Sequence, residues 1–115
     1  MASVSFQGEG NLQIVINAIQ SSVLNSGMSC ELIDQKQHTY NNGNVTFMVF
    51  EKYYMRSSNR ASLSVLVTQI GNSILVDAIA SGGGQGALFK FSWGAEDDFL
   101  YPVLSALKRL NFSEI

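Results

Sequence analysis

The first part of the chain changes from strand-like to helix-like spacing of its apolar residues. Residues 3–7 alternate around Val4 and Phe6, which is typical of a short strand. From Asn11 onward, apolar residues recur at helical spacing, at Leu12, Val15, Ile16, Ile19 and Val23. Asn11 can act as an N-cap, and Gly27 follows the last apolar position as a helix stop. The pattern predicts a strand and then a helix of about four turns.

Alternation then returns and predicts a run of antiparallel strands. Residues 28–37 alternate around Cys30 and Leu32, and residues 40–44 contain the Asn and Gly of a turn. Residues 45–56 combine β-branched and aromatic side chains, which favour strands. Residues 62–68 and 73–80 are joined by Gly71-Asn72, a pair typical of a tight hairpin.

A second helix closes the predicted order. Residues 96–98 are acidic and Lys108 and Arg109 are basic, which suits the two ends of a helix dipole. Pro102 is compatible with this helix if it begins near Asp98, and residues 87–93 are a further strand or an extended edge segment. The order β-α-β-β-β-β-α predicts a single α+β domain over residues 1–115, with an antiparallel sheet of about five strands and two helices packed on one face. This element order is similar to that of the TATA-binding-protein-like fold class.

Both faces of the strand at residues 45–56 are apolar, so one-sided helical cover leaves one set of large side chains without burial. One set is Val45, Phe47, Val49, Tyr53 and Met55; the other is Met48, Phe50 and Tyr54, with Lys52 and Arg56. We assign Met48, Phe50 and Tyr54 to an exposed interface. A second candidate patch, opposite the core set, contains Leu66, Ile70, Leu75 and Ile79. The alternatives are a bulge that shifts the faces, cover by residues 112–115, or a small apolar ligand.

The composition argues against two classes of binding partner, nucleic acids and anionic membranes. With 14% charged residues and a net charge of −2, the chain lacks the clustered basic face of nucleic-acid-binding domains, and an anionic membrane is disfavoured too. A single cysteine cannot form an internal disulfide, which favours a reducing compartment. We find no signal peptide and no apolar span, and expect a soluble cytoplasmic protein.

The glycine-rich segment at residues 81–86 is the main candidate for small-molecule binding. It lacks the spacing of known phosphate loops and is followed by an extended pattern, so a structural turn is favoured. The alternative is an enzyme or a binder of an anionic or polar metabolite that uses Ser81, Gly82, Gly83 and Gly84 with Lys90, Arg56 and Arg60. The lone His38 and the alternating Cys30 form no catalytic set, so we assign no catalytic residue, metal ligand or cofactor.

Two stretches resemble an uncharacterised bacterial family, a domain of unknown function. The matching motifs are E-x-Y, N-R, S-G-G and F-x-[KN], carried by Glu51, Tyr53, Asn59, Arg60, Ser81, Gly82, Gly83, Phe89 and Lys90. The resemblance implies no activity, substrate or cofactor. The leading hypothesis is therefore a non-enzymatic cytosolic module that self-associates, as a homodimer, or binds a partner through an apolar sheet face.

Overall fold

The computed structural model describes residues 2–27, 29–54, 59–82 and 93–115. Within these residues the elements follow the predicted order β-α-β-β-β-β-α, with one short strand added at the end, and residues 87–92 of the predicted further strand lie outside them. The strands are β1 (Ala2–Glu9), β2 (Cys30–Tyr40), β3 (Gly43–Tyr54), β4 (Asn59–Ile70), β5 (Ser73–Gly82) and β6 (Ser113–Glu114), and the helices are α1 (Leu12–Leu24) and α2 (Trp93–Arg109). The predicted α+β class with a mainly antiparallel sheet is confirmed.

The sheet has the spatial order β2-β3-β4-β5-β1-β6, and its strand pairs are antiparallel. Two-residue turns at 41–42 and 71–72 connect β2 to β3 and β4 to β5. Gly71 has φ 61°, a left-handed conformation that glycine adopts without steric cost. Strand β1 lies beside β5, and β2 lies at an edge of the sheet. Helix α1 connects β1 to β2 along the chain.

Helix α1 forms as its sequence predicts. The Asn11 side chain caps it, because Oδ1 accepts hydrogen bonds from the backbone N–H groups of Gln13 at 2.9 Å and Ile14 at 3.1 Å. Its buried residues are Val15, Ile16, Ile19 and Val23. Residues 10–30 contain no charged side chain, so the solvent side of this helix is uncharged.

Helix α2 starts earlier than expected. It begins at Trp93, so the predicted start near Asp98 is wrong and Pro102 lies inside the helix. Proline in a helix interior removes one backbone hydrogen bond. Pro102 is nevertheless buried, and its carbonyl accepts a hydrogen bond from the Ser22 hydroxyl of α1 at 2.8 Å. The two helices are therefore joined by a hydrogen bond at Pro102.

One buried cluster unites both helices with a single face of the sheet. The sheet contributes Phe6, Met48, Phe50, Ala61, Leu63, Val65, Val67, Ile74, Val76, Ala78 and Ala80. The helices contribute Val15, Ile16, Ile19, Val23, Phe99, Leu100, Val103 and Leu107.

The predicted exposure of Met48, Phe50 and Tyr54 is wrong. Met48 and Phe50 are 0% exposed, and Tyr54 is half-buried against the core. The register explains the error, because Met48 lies opposite Val65 and Phe50 lies opposite Leu63. These side chains share a face with the alternating apolar residues of β4, and that face is the one the helices cover.

Candidate interaction surface

The face of the sheet opposite the helices, here called the open face, carries a contiguous set of apolar side chains. Its central members are Val45, Phe47, Val49, Leu66, Leu75 and Ile79. Phe47 is 41% exposed and Ile79 is 46% exposed, while the others are half-buried. Directly paired residues such as Phe47 and Leu66 have neighbouring side chains, so the apolar surface is continuous across β3 and β4.

The apolar surface extends toward the hairpin tip and the last strand. A groove of about 330 Å³ is lined by Gln7, Thr68, Ile70, Ser73, Leu75 and Ile115. Ile115 lies beside β1 because its backbone N–H donates to the Ser5 carbonyl at 2.9 Å. Leu66, Ile70, Leu75 and Ile79, predicted as a second patch, all lie on this face.

One line of residues crosses the open face at right angles to the strands. This central line consists, from β2 to β1, of Lys36, Phe47, Leu66, Asp77 and Ser5. Lys36 is exposed, and its Nζ lies 3.9 Å from Asp34 Oδ2, a surface ion pair of small energetic weight. Asp77 is half-buried, and its Oδ1 accepts a hydrogen bond from the Ser5 hydroxyl at 2.5 Å. A cation and a carboxylate thus flank two large apolar side chains.

The predicted metabolite site is only partly within the described residues. Ser81 and Gly82 end β5, opposite Ser62 and Ala61. Arg60 lies at the same end of the sheet, where its Nη1 is 3.2 Å from Glu51 Oε1. The other residues predicted for this site, Gly83, Gly84, Lys90 and Arg56, lie outside the described residues. Within the described part, the arginine is therefore engaged with a carboxylate of its own chain.

A polar cluster that the sequence analysis missed lies at the same end of the sheet, on the helix side. Lys52 Nζ donates to the Ser26 carbonyl at 3.1 Å, just beyond the end of α1. It also lies 5.5 Å from the ring centroid of Tyr54 and 5.8 Å from that of Phe99. Both a helix C-terminus and an aromatic face attract a cation. The sequence signal for this cluster was Lys52 itself, a charged residue among the alternating apolar residues on the buried side of β3.

Tyr54 and the neighbouring Cys30 stay protonated at neutral pH. Burial raises the pKa of Tyr54 to about 12, and the charges of Asp98 and Cys30 add to the shift. Burial also raises the pKa of the Cys30 thiol, against the opposing effect of Lys52. Cys30 packs against the core as a half-buried side chain. The cluster therefore supplies neither a thiolate nor a phenolate nucleophile at neutral pH.

Other chemistry finds little support among the described residues. His38 is exposed on β2, opposite Val45. Across residues 2–27, 29–54, 59–82 and 93–115, no three His, Cys, Asp or Glu side chains converge on a common point for a metal. Within those ranges, neither helix has the length and apolar content needed to cross a membrane. The open face is therefore the candidate functional surface.

Comparison with known proteins places the chain in a family. Residues 1–111 match the family described as "Family of unknown function (DUF6054)". The chain belongs to the DUF6054 family. The match spans both helices and β1 to β5, and it ends before β6. No curated protein and no solved structure matches the chain. The predicted membership of a family of unknown function is confirmed.

In this DUF6054 chain, the described residues that carried the resemblance meet at one end of the sheet. Tyr53 pairs with Arg60 in the register of β3 and β4, and Arg60 contacts Glu51. Ser81 lies on the adjacent strand, opposite Ser62. Phe89 and Lys90 fall outside the described residues. The described motif residues therefore lie at the end of the open face that carries the Arg60–Glu51 ion pair.

Proposed function

We propose that the protein is a non-enzymatic module that self-associates through its open face, in the cytoplasm. One observation carries this proposal: the helices bury one face of the sheet, while the other face leaves Phe47 and Ile79 nearly half exposed. A water-facing side of an antiparallel sheet normally alternates polar residues with the buried apolar ones. Here β3 instead places Val45, Phe47 and Val49 in succession on the uncovered side.

The energy available from covering these side chains is large enough to support association. Full burial of a side chain of this size stabilises by roughly 1.5–3 kcal/mol. Since Phe47 is 41% exposed and Ile79 is 46% exposed, covering each contributes about 1 kcal/mol more. In a symmetric pair each residue is counted twice, so these two positions alone supply about 4 kcal/mol.

The dimensions of the open face also fit a stable interface. Five long strands spaced by about 4.8 Å give a width of roughly 24 Å, and ten residues at about 3.3 Å each give a length of roughly 33 Å. The resulting area of roughly 800 Å² equals the area that each partner buries in a typical stable complex. Two sheets packed face to face would also form the ordinary two-layer arrangement of a β-sandwich.

Sedimentation equilibrium over the micromolar range tests the proposal. The wild-type protein is expected to be a dimer, and Phe47→Glu is expected to be a monomer because it places charges in the centre of the interface. Ile14→Glu is the matched control: Ile14 is 57% exposed on α1, away from the open face. This variant is expected to remain dimeric. A wild-type protein that stays monomeric at every concentration would refute self-association.

A further inference from the structure

We infer that two copies pair face to face about a two-fold axis that runs between β3 and β4 and parallel to them, so that Lys36 of each copy meets the partner's Asp77. This inference rests on the proposed self-association and specifies its geometry. The observation behind it is the order of the central line, in which a cation, two apolar side chains and a carboxylate occupy four successive strands.

Symmetry turns this order into complementary contacts. An axis between β3 and β4 exchanges each β3 with the partner's β4 and each β2 with the partner's β5. Phe47 then packs on the partner's Leu66, and Lys36 faces the partner's Asp77. Because the interface is isologous, each of these contacts occurs twice. The apolar pair lies at the centre and the charged pairs flank it, as in stable protein interfaces.

The charges of Lys36 and Asp77 disfavour the main alternative arrangement of the two copies. A two-fold axis lying along the central line, at right angles to the strands, would place Lys36 on the partner's Lys36 and Asp77 on the partner's Asp77. Like charges in contact across an interface weaken association strongly. The self-complementary order of the central line therefore selects an axis parallel to the strands.

The distances allow the charged contact. Lys36 and Asp77 each lie about 7 Å from the axis, given a strand spacing of about 4.8 Å. When packed sheets cross at about −30°, the strands of each sheet lie about 15° from the axis, which displaces the two residues along the strands by about 4 Å, and a lysine side chain spans that offset. Asp77 is held through Oδ1 by Ser5, which fixes the orientation of its carboxylate. Lys36 gives up only an exposed contact of 3.9 Å with Asp34.

Charge reversal and mixing test the arrangement. Lys36→Asp places two carboxylates together at each contact, and Asp77→Lys places two ammonium groups together. Each single variant is expected to weaken the dimer about a hundredfold, measured by sedimentation. An equimolar mixture of the two variants is expected to form a heterodimer of near wild-type affinity, because both of its contacts pair opposite charges. The double variant K36D/D77K is expected to regain the homodimer.

Controls separate this geometry from general charge effects and from misfolding. Lys108→Asp changes the net charge as Lys36→Asp does but lies on α2, so it is expected to leave the affinity within about threefold of wild type. Circular dichroism establishes that each single variant is folded, and the mixture reports pairing even if one variant is less stable. A wild-type dimer whose affinity neither single charge variant lowers, or whose two charge variants do not associate on mixing, overturns the axis while leaving self-association intact. A monomeric wild type overturns both.

Discussion

Replacing Thr46 with valine is expected to stabilise the protein. Thr46 lies on the helix side of β3 and is 0% exposed, and its Oγ1 has no hydrogen-bond partner among the described residues. A buried polar group without a partner costs roughly 1–3 kcal/mol relative to one that is satisfied. Valine has nearly the same shape and an equal preference for strands. Thr46→Val is therefore expected to raise the free energy of unfolding by about 1–2 kcal/mol.

The gain is large enough to see in both thermal and urea unfolding. For 115 residues the unfolding entropy is about 0.24 kcal/mol/K, so about 1 kcal/mol corresponds to about 4 °C in Tm. The expected rise is about 4–8 °C. Both proteins are compared at one concentration, because coupled dissociation makes Tm depend on concentration. Thr39→Val is the control: Thr39 is exposed on β2, and its replacement is expected to change stability by under about 0.5 kcal/mol.

An unchanged or lowered free energy of unfolding for Thr46→Val, with a neutral Thr39→Val, would refute the reasoning. That result would mean that the hydroxyl is satisfied in the native state, by an enclosed water for example. The same pair of variants therefore also reports whether the core side of β3 is dry at this position.

Three further predictions test the face assignment, the helix cap and the buried phenol. Phe50→Ala is expected to cost about 3–5 kcal/mol in urea unfolding, because its ring is 0% exposed. Phe47→Ala is expected to cost about 1–2 kcal/mol in the monomer, because its ring is 41% exposed; equal losses would contradict the assignment. Asn11→Ala is expected to cost about 1 kcal/mol by the same assay, whereas Asn11→Ser keeps the cap and the stability. The pKa of Tyr54 rises from 10.0 to about 12 on folding, so the free energy of unfolding is expected to fall as pH rises from 10.0 through about 12. Tyr54→Phe is expected to remove this pH dependence. An absorbance titration of the phenolate that shows an unshifted Tyr54 would contradict the prediction.

The order of elements was predictable because each element carries its own local signal. The apolar spacing and the Asn11 cap define α1 without reference to any other segment. Gly71 and the alternation on either side define the hairpin of β4 and β5. The start of α2 was not predictable in the same way. Charges at residues 96–98 suggested a first turn, whereas the helix begins at Trp93 and contains Pro102 in its interior.

The covered face could not be read from β3 alone. Strand alternation separates the two sets of side chains correctly, but both sets are apolar, and Thr46 even lies in the buried one. Only the pairing of Met48 with Val65 and Phe50 with Leu63 shows which set the helices cover. The central line could not be predicted from the sequence either, because its five residues come from five strands and only the pairing brings them together.

The position of β1 has a consequence for how the chain acquires its structure. Its pairing with β5 joins residues such as Ser5 and Asp77, 72 positions apart, so the sheet is completed only after most of the polypeptide has been synthesised. Contacts of such long sequence separation slow folding. Until β1 arrives, β5 presents an unsatisfied edge, which is the point where strand exchange between nascent chains is expected to compete with correct folding.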